Sequence, residues 1–293
     1  PGEGRVFVFP GSPSGLAASP SWSAAGGQAF ARFGAAVSSG GGDVIIGAPM
    51  YDNGQSNEGR VFFFAGSPTG LAALPSWTAE SDQADAHMGV SVALGDLNGD
   101  GFAEAIAGAD LYDNGVADRG RVSVFAGSST GPANQPLWIG EGDQAGARFG
   151  FSLAVAAGFS GDNYGDLVIG APGYDNGQVD EGRAYVYLGS PFGPGSIPAR
   201  TMESDQTGAQ LGISVASAGD INGDGRTDLI LGASLYDTGQ SNAGRAQVWL
   251  GSAGLQPLPG AAFFYYVRPG NACGSGPLGF SSDGTARTGA ACP

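Results

Sequence analysis

The chain has 293 residues, of which 55 are glycine and 18 proline, with 42% hydrophobic and only 13% charged residues. Its formal net charge is −15 and it contains no lysine, every fixed cation being arginine, which makes nucleic acid, whose phosphates need clustered cations, a poor partner. Cations, or ligands carrying them, are favoured instead, and no apolar run approaches the roughly 20 residues of a membrane-spanning helix.

In chain order, the first element is a strand over GRVFVF (4–9), followed by another around Trp22. From there four units of one plan begin at Phe33, Met88, Phe149 and Leu211. The second unit shows the plan: strands over MGVSVALG (88–95), FAEAIAGA (102–109) and GRVSVFAG (120–127), then a short one around Leu137-Trp138-Ile139. Short β-branched and aromatic runs bounded by Gly, Asn and Asp are hairpin chemistry. YDNG (51–54, 112–115, 174–177) and YDTG (236–239) mark the turn between second and third strands. No segment keeps an apolar period of 3.6 long enough for a helix.

Two markers confirm the repeat. Gly-Arg heads the third strand at 4–5, 59–60, 120–121, 182–183 and 244–245, and an apolar-Gly pair opens the units at 33–34, 88–89, 149–150 and 211–212. Both keep one register, with later offsets of 61 to 62 residues. Radially repeated four-stranded antiparallel units make an all-β fold, a β-propeller.

The N-terminal unit, residues 1–32, supplies only the outer strands of a split blade. The fourth strand of the last unit falls on AAFFYYVR (261–268), and residues 269–293 form a Gly-rich tail. LGFSSDGTARTGAACP (278–293) echoes LGIS…DG…GAS (211–234). The tail therefore either closes a five-bladed ring or leaves an edge for a neighbouring molecule. A third reading makes the chain part of a seven-bladed propeller. Cys273 and Cys292, both in the tail, suit one disulfide and an oxidising compartment; the alternative is two free thiols.

The connections between first and second strands carry the chemistry. Asp96, Asn98, Asp100 and Glu104 occupy positions 1, 3, 5 and 9 of a nine-residue loop, and Asp220, Asn222, Asp224 and Asp228 repeat that spacing. Oxygen ligands on alternate residues, with glycines allowing a sharp turn, suit Ca²⁺ rather than Zn²⁺ or Cu²⁺. The bland alternative is an Asx-rich hairpin held by its own hydrogen bonds. A third loop keeps Ser160, Asp162 and Asp166 but has Gly158 first, which makes it a weaker site. The first loop is cut short and retains only Asp43, so no metal is expected there.

RFG (32–34, 148–150), followed by an Asp-rich loop and then IIGAP (45–49) or VIGAP (168–172), resembles the FG-GAP repeat of integrin α-subunits and many bacterial surface proteins. The resemblance runs over roughly residues 1–252. It implies a calcium-binding propeller for adhesion or ligand binding, with Phe102 and Arg226 donating backbone carbonyls as the seventh-position ligands.

The remaining features have both a sharp and a bland reading. Asp-Gln recurs before the opening pair at 82–83, 143–144 and 205–206, either as ligand surface or as a brace for the inter-blade turn. Asp113, Asp175 and Asp237 could meet a basic partner or simply form turns. Trp22, Trp77, Trp138 and Trp249 could stack on sugars, or, for the first three, which recur at similar unit positions, pack on outer strands. His87 is the only histidine and no GxSxG elbow exists, so no catalytic set is evident. The expectation is a secreted or cell-surface, calcium-binding propeller that binds a protein or glycan and is not an enzyme. The alternatives are a filament or surface-layer subunit binding copies of itself, and an accessory propeller of a larger enzyme.

Overall fold

The computed structural model describes residues 2–252 and the strand Ala262–Tyr265, and no helix occurs among them. Cys273, Cys292 and the rest of the tail, on which ring closure or an open edge would turn, lie outside the described residues.

A two-stranded sheet, Arg5–Val8 against Trp22–Ala25, comes first. Four antiparallel four-stranded sheets follow. In the first full sheet the strands are Ala36–Gly40, Asp43–Ala48, Arg60–Phe64 and Trp77–Glu80; in the second, Ser91–Gly95, Glu104–Ala109, Arg121–Phe125 and Trp138–Glu141. The third comprises Ser152–Ala157, Gly165–Ala171, Arg183–Tyr187 and Arg200–Glu203. The fourth comprises Leu211–Gly219, Asp228–Ala233, Arg245–Trp249 and Ala262–Tyr265, so the strand expected over 261–268 forms in its middle. Each is an antiparallel meander, and the first strands of successive full sheets lie beside one another, as in a propeller.

Second strands such as Glu104–Ala109 are buried along their whole length because both faces meet a neighbouring sheet. Ile45, Val61 and Phe63 of the first full sheet pack on Val92, Leu94 and Phe125 of the second. Ile106 and Val124 pack in turn on Leu167, Ile169 and Tyr185. In the fourth sheet, the last among the described residues, Leu229 and Leu231 are buried against the third while Ile230, on the opposite face, is 37% exposed.

The marker residues turn out to be the contacts between sheets. The opening Gly89 and the second-strand Gly47 of the preceding unit touch so closely that a Cβ on Gly47 would lie 2.0 Å from the Gly89 carbonyl oxygen. Gly108 meets Gly150 and Gly170 meets Gly212 in the same way, at 2.1 and 2.0 Å. Only glycine lets two backbones approach so far. The tryptophans pack between sheets, not on an open ligand surface. Trp22 meets Phe64 edge-to-face at 4.9 Å, Trp77 meets Phe125 at 4.8 Å and Trp138 meets Tyr187 at 5.1 Å. Two indole N–H groups donate onward, Trp22 to the Ala72 carbonyl and Trp138 to that of Gly195.

This core buries phenols as well. Desolvation pushes Tyr187 up to about 12 and raises Tyr185 too. An unfolded tyrosine ionises near pH 10, so the folded chain holds protons that the unfolded chain has lost above that value. The stability from these groups is complete below about pH 10 and falls at about 1.4 kcal/mol per pH unit for each as pH rises towards 12. Base denaturation followed by circular dichroism should therefore be shallower for Tyr187→Phe; an unchanged slope would count against burial of this phenol.

Candidate functional site

The four loops joining first to second strands lie at one end of their sheets. In residues 96–104 the Asp96 carboxylate accepts from the backbone N–H groups of Gly99 (2.6 Å) and Gly101 (2.9 Å). Asn98 Oδ1 accepts from Asp100 N–H at 2.9 Å, and Asp100 Oδ1 from Phe102 N–H at 2.8 Å. The loop 220–228 copies this with Asp220 on Gly223 (2.7 Å) and Gly225 (2.8 Å), Asn222 on Asp224 (3.0 Å) and Asp224 on Arg226 (2.9 Å). Consecutive Asx turns thus set the alternate oxygen side chains. The N–H of Gly225 holds the Asp220 carboxyl below its ordinary range.

The ninth residue does something else. Glu104 is fully buried, and its two oxygens accept from Leu97 N–H at 2.7 Å and Gly127 N–H at 3.2 Å. Asp166 takes Ser160 and Gly189 in the same way, and Asp228 takes Ile221 and Gly251. Asp43, whose loop has been cut away, still accepts from Gly66 N–H at 2.7 Å. This carboxylate therefore ties the inner hairpin to the end of the third strand in every full sheet, with or without a loop that could take an ion. Burial raises Glu104 above the ordinary carboxylate range; the two backbone amides oppose the shift, and Asp100 and Asp96 add to it. Burial raises Asp166 likewise.

The donor set fits a hard cation. Residues 96–104 contain three carboxylates, one amide and no basic side chain. The Asn98 Nδ2 group lies between two of those carboxylates, donating to Asp100 (3.0 Å) and Glu104 (3.2 Å). Asn222 Nδ2 donates to Asp224 at 2.9 Å. Oxygen donors around a buried, destabilised carboxylate are what an oxygen-seeking dication would relieve.

The third loop is poorer for a reason beyond Gly158. The side chain at position 7 leans on the preceding loop: a Cβ on Gly99 would lie 2.8 Å from the Tyr164 ring, and one on Gly161 would lie 2.7 Å from Arg226 Nε. Arg226 thus sets a fixed positive charge against the loop of Ser160, Asp162 and Asp166, where it opposes a second cation.

At the opposite end of the sheets, the Asp-Gln motif braces the joint between units. Gln83 donates through Nε2 to the Asp113 carbonyl and accepts the Asp113 N–H on Oε1, at 2.8 and 2.6 Å. Gln28 clasps Asp52, Gln144 clasps Asp175 and Gln206 clasps Asp237 in the same two-way bond. The side chains of Asp113, Asp175 and Asp237 each accept the N–H five residues ahead, so all three serve as turn formers.

The Gly-Arg marker has a partner set that the sequence reading missed. Arg121 and Arg183 sit 3.6 Å from the ring centroids of Tyr112 and Tyr174, and Arg60 and Arg245 lie over Tyr51 and Tyr236. Arg60, Arg121 and Arg183 also pair with Glu80, Glu141 and Glu203 at the end of the fourth strand. The signal was present as a Tyr, an Arg and a Glu recurring at fixed offsets.

The FG-GAP repeat model matches residues 88–125, 149–187 and 211–249, each match running from the opening pair to the end of the third strand. The chain is built of FG-GAP repeats. It is integrin-α-like: integrin alpha-5 of Xenopus laevis is 31% identical over 205 residues, 67% of this chain and 19% of that protein. Human integrin alpha-IIb is 36% identical over 174 residues, covering 57% and 16%. Phosphatidylinositol-glycan-specific phospholipase D of Rattus norvegicus is 34% identical over 197 residues, covering 63% and 23%. The chain spans less than a quarter of the length of each of these relatives.

Proposed function

We propose that this FG-GAP chain is a calcium-stabilised, extracellular binding propeller that recognises a protein or glycan and catalyses no reaction. The observation that carries it is the pair of matching loops, 96–104 and 220–228, each setting oxygen side chains in sequence above a buried ninth-position carboxylate. Asp96, Asn98, Asp100 and Glu104 hold one ion with the Phe102 carbonyl, and Asp220, Asn222, Asp224 and Asp228 hold the other with the Arg226 carbonyl. Both ions fix inner hairpins, which leaves binding to the surface of a rigid array. The likeness to integrin α-subunits supports adhesion as the purpose and the cell surface as the place. Ion binding at Ser160, Asp162 and Asp166 is weaker or absent, given Arg226.

A second reading follows from the phospholipase D relative, namely that the propeller accompanies a catalytic domain elsewhere in a longer protein. One experiment tests the binding, non-catalytic reading. The purified chain is applied to arrays of extracellular proteins and glycans, in calcium and in chelator, and assayed in parallel for hydrolysis of glycosylphosphatidylinositol. Calcium-dependent capture without turnover is expected. Turnover by these residues would overturn the non-catalytic reading, and ordered filaments in light scattering would favour a structural subunit.

A further inference from the structure

We propose that Glu181, Glu203 and Asp205 form a second kind of divalent-cation site, at the end of the third full sheet away from the calcium loops. Glu181 heads the third strand, Glu203 closes the fourth, and Asp205 follows in the link to the next unit. One oxygen from each lies within 4.8 Å of the others. The Glu203 oxygens are engaged, Oε1 by Arg183 and Oε2 by Asn176 Nδ2 at 2.8 Å. Glu181 is different: it is 0% exposed, and its Oε1 has no hydrogen-bond partner. A bare, buried carboxylate oxygen beside two further carboxylates is unfavourable unless a positive charge joins it. Asp205 is exposed and opens the cluster to solvent.

The second full sheet supplies a comparison within the same chain. Where the third has Glu181 before its Gly-Arg pair, the second has Arg119. The Arg119 guanidinium turns into the equivalent space, 3.5 Å from Glu141 Oε2 and 3.2 Å from the Asn114 carbonyl, and its Nε donates to the Gly142 carbonyl. Two arginines, Arg119 and Arg121, thus accompany two acids, Glu141 and Asp143. In the third sheet one arginine, Arg183, accompanies three acids. The difference is two charges, which is what one divalent cation supplies. A companion exchange goes with it: Ser204, whose hydroxyl donates to the Glu181 carbonyl at 2.7 Å, is replaced by Gly142. The first full sheet has the third sheet's set, Glu58, Glu80 and Asp82, and Glu58 is likewise buried with Oε2 unpartnered. The three-way approach is closest in the third sheet. All-carboxylate donors select a hard ion such as Ca²⁺ or Mn²⁺.

Equilibrium dialysis with calcium tests this on the whole chain. Glu181→Gln should bind one ion fewer than the parent, and so should the double variant Glu181→Arg, Ser204→Gly, which copies the second sheet. The double variant should also melt in chelator at or above the parent's temperature, because its added guanidinium replaces the ion. Equal stoichiometry in the parent and Glu181→Gln would overturn the site while leaving the loop sites standing. Loss of one ion in Asp96→Ala, with Glu181 intact, identifies the loop sites separately. In crystals of the unaltered chain soaked with terbium, an anomalous peak is expected beside Glu181 Oε1. Peaks at the loops alone would overturn the proposal.

Discussion

Gly170→Ala is expected to prevent folding. The added methyl would stand 2.0 Å from the Gly212 carbonyl oxygen, a backbone atom of the next sheet that cannot swing aside. Separating two packed sheets to admit it opens voids along the whole contact, and a cost of more than about 4 kcal/mol belongs to this class of overpacking. The expected result is loss of the cooperative thermal transition, or no soluble folded product. Two glycines calibrate the effect. Gly11 has nothing within 4 Å of its would-be Cβ, so Gly11→Ala should stay within about 0.5 kcal/mol of the parent. Gly232 holds the same place in the fourth full sheet, yet among the described residues its near neighbour is only the Ser214 hydroxyl at 2.4 Å, with backbone no closer than 3.7 Å. Gly232→Ala should therefore be much milder than Gly170→Ala. Equal melting of Gly170→Ala and Gly11→Ala would sink the claim that these glycines set the distance between sheets.

Calcium removal should have the next largest effect. An ion that binds the folded chain alone stabilises it by about 2.7 kcal/mol at a hundredfold excess over its dissociation constant. Two loops together then contribute about 5 kcal/mol, which for a chain of this size corresponds to a melting shift of roughly 10 °C or more between calcium and chelator. Asp96→Ala and Asp220→Ala should each remove about half of that calcium-dependent increment, and Asp162→Ala very little. The increment is the quantity to read, because Asp96 and Asp220 also accept backbone N–H bonds without any ion. Their loss lowers the baseline in chelator as well. A melting temperature indifferent to chelator would reject metal at both loops.

The repeat and its strands were legible because their markers are local: turn glycines, β-branched runs and a constant register. The metal loops were legible for the same reason, since each ligand set lies within nine residues. What the linear pattern concealed was convergence of residues far apart in sequence. The carboxylate at the ninth position reads as a metal ligand, yet Asp43 retains its bond to Gly66 where no loop remains, so its first duty is to the backbone. Gln144 reads as a candidate contact for a ligand, and its partner, Asp175, lies 31 residues ahead in a turn whose sequence gives no hint of it. The acidic trio around Glu181 draws on two segments more than 20 residues apart, and its meaning emerges only beside Arg119, a substitution that looks random until the two sheets are superposed in register.

Several of the ties between units reach forward along the chain. Trp22 needs Ala72, Gly47 needs Gly89, Gln83 needs Asp113 and Trp138 needs Gly195. During synthesis, then, each unit emerges from the ribosome with one face still bare and must wait for about one further repeat before it is sealed. Folding of such a chain proceeds in step with translation and always trails it by a sheet. A pause in synthesis between units would leave a half-covered apolar face waiting in solution.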